Sequence, residues 1–134
     1  MEDKDFTKCF VFHDMDWVQD ILHMSELGLW NMVTDKDMQN VKFYIDGTMA
    51  RLLGAKDNMS PEACFEFWYK RINRGNHAYV NDVMNRIVHT GKLCEVQYTW
   101  NHPEWGDIPV RCAGRSRQLP DGRILITGYH QNMA

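Results

Sequence analysis

A chain of 134 residues can bury one substantial core and is too short for two ordinary domains. Its formal net charge is −3, and its cationic side chains are scattered apart from Arg111, Arg115 and Arg117, which argues against the basic stripe that nucleic acid demands. No run approaches a membrane span, the acidic start Glu2-Asp3-Lys4-Asp5 is not a signal peptide, and Cys9, Cys64, Cys94 and Cys112 form no CxxC pair, so a reducing, cytoplasmic compartment is expected.

Residues 1 to 13 show no period. Asp14 or Asp16 can N-cap a helix running to about Glu26, with Trp17, Val18, Ile21, Leu22 and Met24 as an apolar stripe and Gly28 as its stop. That stripe packs either on its own core or on a partner helix. Leu29 to Val33 reads as a strand and Thr34 to Asp37 as its turn. Val41, Phe43 and Ile45 then alternate with Lys42, Tyr44 and Asp46 in a second strand. Thr48 can cap a short helix, Met49 to Leu53, closed by Gly54. Ser60-Pro61-Glu62 opens a longer one with the stripe Cys64, Phe65, Trp68, Tyr69 and Ile72. After a break from Arg71 to Asn76, the spacing of Val80, Val83, Met84, Ile87 and Val88 gives a further helix, ended by Gly91.

Three strand-like runs follow. Leu93 to Trp100 sets Cys94, Val96, Tyr98 and Trp100 on one face and Glu95, Gln97 and Thr99 on the other. Val110 to Gln118 sets Val110, Cys112 and Gly114 against Arg111, Arg115 and Arg117. Arg123 to His130 is nearly continuous in β-formers. Turn signals separate them, from Asn101-His102-Pro103 to Gly106-Asp107 and at Pro120-Asp121-Gly122. Short turns make an antiparallel meander with one apolar face, and the rest of the chain must cover it. The expected class is α+β: a five-stranded antiparallel sheet with helices over one face.

This order resembles the PAS sensor domain. The residues that carry the resemblance are Gly28-Leu29-Trp30, Phe43-Tyr44-Ile45-Asp46, Arg51-Leu52-Leu53-Gly54, Trp68 with Ile72, Val110-Arg111, Gly114, Asp121-Gly122 and the closing Gly128 to Met133. The resemblance spans roughly residues 28 to 133, so residues 1 to 27 form an extension with a cap helix and 28 to 134 the PAS-like domain. Two departures stand out. Asn73-Arg74-Gly75-Asn76 replaces the family's His-Pro-Asp-Asp loop, and Asn132-Met133-Ala134 replaces its closing Asp-Ile-Thr.

The resemblance implies a non-catalytic sensory module that binds a small ligand or a partner and regulates an attached output domain, a histidine kinase or a diguanylate cyclase. It also implies a homodimer through the N-terminal helix and the outer sheet face. Inward sheet positions are Trp30, Met32, Phe43, Val96, Tyr98, Trp100, Cys112, Ile126 and His130; the helices add Trp68, Tyr79, Met84 and Ile87. These side chains either close into a core or leave a ligand pocket between sheet and helices. Gly114 and Cys112 leave room that large aromatics opposite could fill. His130 breaks an apolar face near the end of the last strand, as a polar ligand contact, a pH sensor or a histidine bonded to backbone.

Other chemistries find less support. Light-oxygen-voltage flavin chemistry needs a cysteine in an Asn-Cys-Arg motif, and the nearest stretch, Gly75-Asn76-His77-Ala78, has no thiol. Haem would need His77 or His89 as axial ligand. Zinc, phosphate-loop and nucleophile-turn patterns do not occur in the sequence. Two alternatives stay open: a small enzyme of the ketosteroid-isomerase kind using a buried acid or His130, and a purely structural dimerisation module with a filled core.

Overall fold

The structure, a computed structural model, describes residues 15–56 and 58–133, without the side chains of Met15 and Trp17. Helix α1 spans Met15–Met24, β1 Gly28–Thr34, β2 Lys42–Ile45, α2 Gly47–Leu53, α3 Pro61–Lys70 and α4 His77–Thr90, followed by β3 Cys94–His102, β4 Gly106–Gln118 and β5 Ile124–Asn132. Of the two expected caps for α1, Asp14 lies outside the described residues and Asp16 lies within the helix; Cys9 is also outside them.

The five strands form one sheet in the order β2-β1-β5-β4-β3 with every neighbouring pair antiparallel. Period-2 alternation sets the inner face: Trp30, Met32, Phe43, Val96, Tyr98, Trp100, Val110, Cys112, Ile126 and His130 are buried. Helices α2, α3 and α4 cover that face through Met49 and Leu53, Cys64 and Trp68, and Val80, Val83, Met84, Ile87 and Val88. Ser60 caps α3 as its sequence suggests, accepting from the Ala63 amide, with Pro61 in the first turn.

Three expectations need correction. Thr48 does not cap α2; the Asp46 carboxylate accepts from the Met49 amide at 2.8 Å and from the Leu29 amide at 3.1 Å. The helix already begins at Gly47, which makes Asp46 its N-cap and sets Thr48 inside the first turn. The carboxylate also ties the helix to β1, and the Thr48 hydroxyl meets His23 of α1 at 3.1 Å. The β3–β4 connection is tighter than its turn residues suggest, because β3 runs through His102 and β4 starts at Gly106. Only Pro103, Glu104 and Trp105 remain to turn, helped by Gly106 at φ +73. Tyr79 is 48 % exposed and lies outside the core; the inward stripe of α4 starts one residue later, at Val80.

The departure at Asn73 builds an edge. The Asn73 side chain accepts from the Gly75 amide, giving a single 3-10 turn from Arg74 to Asn76. The Asn73 amide donates to Thr99 O, the Asn101 amide to Arg71 O, and the Thr99 amide to Asn76 Oδ1. The connection between α3 and α4 thus covers backbone groups along the free edge of β3.

Candidate functional site

The interior between sheet and helices contains a cavity of about 20 Å³. Its lining brings together eight of the expected residues: Trp30, Met32, Phe43, Trp68, Met84, Ile87, Val96 and Cys112. Met49, Val80, Cys94, Ala113 and Gly114 complete it. Val80 was legible as a helix-stripe residue and Gly114 as a small inward position; Met49 was placed only as the start of a short helix, and nothing in the sequence marked Ala113. Tyr98, Trp100, Ile126 and His130 are buried but lie outside the lining, and His77 and His89 do not reach it.

The cavity is small because Trp30 fills the space left by the glycines. Gly128 faces Trp30 across the β1–β5 ladder and Gly114 faces Gly128 across β4–β5. A Cβ at Gly114 would lie 3.0 Å from the Trp30 ring, and one at Gly128 would overlap that ring and the Ala113 carbonyl. The indole lies on this bare patch and meets Phe43 at 5.7 Å between centroids. Its Nε1–H is buried and has no hydrogen-bond partner among the described residues. Outside the cavity, Trp68 and Met84 also line an open groove of about 390 Å³ with Asp37, Met38 and Gln39, so these two side chains separate interior from solvent.

Beside the cavity runs a continuous polar row whose proton directions follow from its ends. Asn132 Nδ2 donates to Leu52 O at 3.1 Å, so Asn132 Oδ1 faces His130 Nε2, 2.8 Å away, and accepts its proton. The neutral imidazole is then an acceptor at Nδ1, and Cys112 Sγ–H donates to it at 3.2 Å. At the other end, Trp68 Nε1–H donates to Tyr98 Oη at 2.8 Å, which leaves the Tyr98 hydroxyl to donate to Cys112 Sγ at 3.2 Å. The row crosses β3, β4 and β5 and ends on α2. His130 is bonded to side chains on both nitrogens, not to backbone.

Burial keeps the row neutral. It pushes the Cys112 thiol up to about 12 despite the Tyr98 hydrogen bond, which opposes it. It also raises Tyr98 well above the phenol range, with Cys112 reinforcing the shift. The same cause lowers His130 to about 4 against the opposing bond to Asn132. A thiol and an imidazole held neutral are the opposite of an activated thiolate–imidazolium pair. Every described Asp and Glu is exposed or half-exposed, at caps, turns and outward positions.

Neither a protein-family model nor a curated protein sequence matches this chain. Solved structures do. The chain is similar to the sensory box histidine kinase/response regulator from Burkholderia thailandensis, with a TM-score of 0.65 and 14% identity over 87% of this chain and 83% of that one. It is similar to the N-terminal domain of a diguanylate cyclase with PAS/PAC sensor from Marinobacter aquaeolei, at 0.57 and 16% over 78% and 94%. It is also similar to the PAS-B domain of Cycle from Drosophila melanogaster, solved with ethylene glycol, at 0.60 and 12% over 78% and 99%. At these identities the likeness concerns architecture, and with the all-antiparallel 2-1-5-4-3 sheet it is decisive there: the chain has the fold of the PAS sensor domains.

Proposed function

We propose that this chain is a non-catalytic sensory module that takes a small, mostly apolar molecule bearing one hydrogen-bond acceptor into the space between the sheet and α2–α4. The single observation behind this reading is the Trp30 indole N–H, buried beside the cavity without an acceptor among the described residues. Buried donors in folded proteins are nearly always paired, so an unpaired one beside a void supports a ligand's acceptor at that point. The candidate contacts are those of the lining, with His130 behind it. As it stands the cavity holds about one water, so a ligand requires Met32, Met49 or Met84 to change rotamer, which methionine does at low cost. A ligand shifts signalling only through unequal affinity for the closed and expanded arrangements. The change would pass to an attached output domain of the histidine-kinase or diguanylate-cyclase kind, in the cytoplasm, with α1 and the outer sheet face serving a homodimer. No described helix is long and apolar enough to cross a membrane.

The small size of the cavity favours a second reading, a structural dimerisation module. Ile21 and Met24 of α1 are exposed and would be its surface. NMR titration with acetophenone, a small aromatic ketone, separates the two. Sensing predicts shifts at the Trp30 indole N–H and the Met49 and Met84 methyls, weakened at least tenfold by Val96→Ile, which extends a lining side chain into the void. No shift at millimolar ketone, together with native mass spectrometry of cell-purified protein showing an empty dimer, would leave the structural reading.

A further inference from the structure

The β3–β4 turn carries a second buried histidine whose proton can be placed from geometry. His102 pairs with Gly106 across the ladder and closes the turn Pro103-Glu104-Trp105. Its Nδ1 accepts the Glu104 amide at 3.0 Å and the Trp105 amide at 3.2 Å. A ring nitrogen that accepts two N–H groups is unprotonated, so the neutral ring carries its proton on Nε2. That Nε2 is buried and has no partner among the described residues. It faces Gly54, the left-handed cap of α2, where an added Cβ would lie 3.0 Å away. Trp105 covers the ring from outside, with centroids 4.0 Å apart and planes 10° from parallel, while itself remaining 62 % exposed.

We propose that this turn is a proton-operated clasp: a proton taken up at His102 Nδ1 turns the acceptor into a donor, breaks both amide bonds and releases Trp105 and the turn from the end of α2. One N–H bond forms, and two N–H···N hydrogen bonds are lost. The charged groups around the ring are few. Arg71 at the end of α3 opposes a second positive charge, and Glu104 in the turn favours it. On α2, Arg51 is engaged with Glu26; on β4, Asp107 accepts from the Asn101 side-chain Nδ2. Burial is the largest influence and lowers His102 below the ordinary histidine value. An imidazolium on the Trp105 face would gain a cation–π contact. That one contact stands against two lost hydrogen bonds and a cation taken out of water.

The clasp bears on a particular place. The last turn of α2 is held from two sides, by His102 against Gly54 and by Asn132 through the Leu52 carbonyl. Opening the first hold loosens the helix end that anchors β5.

Amide hydrogen exchange and long-range imidazole ¹H–¹⁵N spectra between pH 7.5 and 4.5 test this. The spectra should show His102 protonated on Nε2 at pH 7.5. Protection of the Glu104 and Trp105 amides, corrected for intrinsic exchange, should fall as pH drops below 6.5, by at most about tenfold per pH unit, while Val110 stays protected. His102→Asn retains a side-chain oxygen able to cap the same amides and cannot titrate, so its protection should stay flat. Unchanged protection in the wild type, loss only in step with Val110, or the same pH profile in His102→Asn would overturn the proposal. Should the variant fail to fold, the first two outcomes in the wild type decide.

Discussion

Two parts of the sheet's inner face treat buried polar groups in opposite ways. Across β3 to β5, Trp68, Tyr98, Cys112, His130 and Asn132 form an unbroken sequence of donors and acceptors that ends on a helix carbonyl. Over β1 and β5, Trp30 places an equivalent N–H in the interior with no described residue to receive it. Both tryptophans are buried, and Trp100 too is satisfied, by the Trp68 carbonyl. The difference lies in what stands opposite: a tyrosine hydroxyl for Trp68, two glycines for Trp30. The glycines let the ring approach the sheet but offer no side-chain acceptor. A core that satisfies one end and leaves the other wanting has given up stability at an identifiable atom, which is where function is to be sought.

The largest effect should come from removing the bare patch. Gly128→Ala puts a methyl into the Trp30 ring and the Ala113 carbonyl, and the carbonyl belongs to a paired strand that cannot step aside. The expected cost is about 3 kcal/mol or more, at the upper end for overpacking, read from the urea midpoint. A loss under about 1 kcal/mol would mean that Trp30 can leave its bed easily, and that the interior is more open than its 20 Å³ cavity suggests.

Acid should break the satisfied side next. His130 titrates near 6.5 when unfolded and near 4 when folded, so below pH 6.5 the unfolded chain binds the extra proton. The stability tied to the neutral ring is complete above 6.5 and is lost as pH falls toward 4. Its size is roughly 3 kcal/mol, and His102 adds in the same direction. Denaturation at pH 7.5 and 4.5 should show this loss in the wild type and a markedly smaller one in His130→Gln. Equal pH dependence in the two proteins would remove His130 as its source.

Much of this architecture was legible because it follows from periodicity. Alternation in Leu93 to Trp100 and Val110 to Gln118 fixed which side chains face inward, and the Val80 to Val88 spacing fixed the buried face of α4. What was not legible depends on partners distant in sequence. Asp46 takes the α2 cap from Thr48 because β1 brings the Leu29 amide to the same carboxylate. For His130 the sequence offers a ligand contact, a pH sensor or a histidine bonded to backbone, and only the strand register sets it between the side chains of Cys112 and Asn132. Asn132 stood out only as a replacement for the family's aspartate. It is an exchange, since a carboxylate could accept from His130 but could not donate to Leu52 O. Room at Gly114 and Cys112 was visible, but not that Trp30 lies over it.

The smallest effect is also the most direct measure of the contrast. Tyr98→Phe removes one oxygen with little change of shape. The Trp68 N–H then loses its acceptor and becomes a second orphan like that of Trp30, while Cys112 loses only an incoming donor. Sulfur is a weak acceptor, so the cost falls mainly on Trp68: about 1–2 kcal/mol for a buried donor left unpaired. Cys112 still donates to His130, so the acid profile should keep its shape. The Trp68 indole proton should move upfield in the NMR spectrum as its hydrogen bond disappears. If the variant is as stable as the wild type, an unpaired indole N–H costs this interior nothing, and the Trp30 orphan stops being evidence for a ligand. If the cost appears as expected, Trp30 carries a comparable penalty at rest, and a molecule that supplies its acceptor gains that much in affinity before any apolar contact is counted.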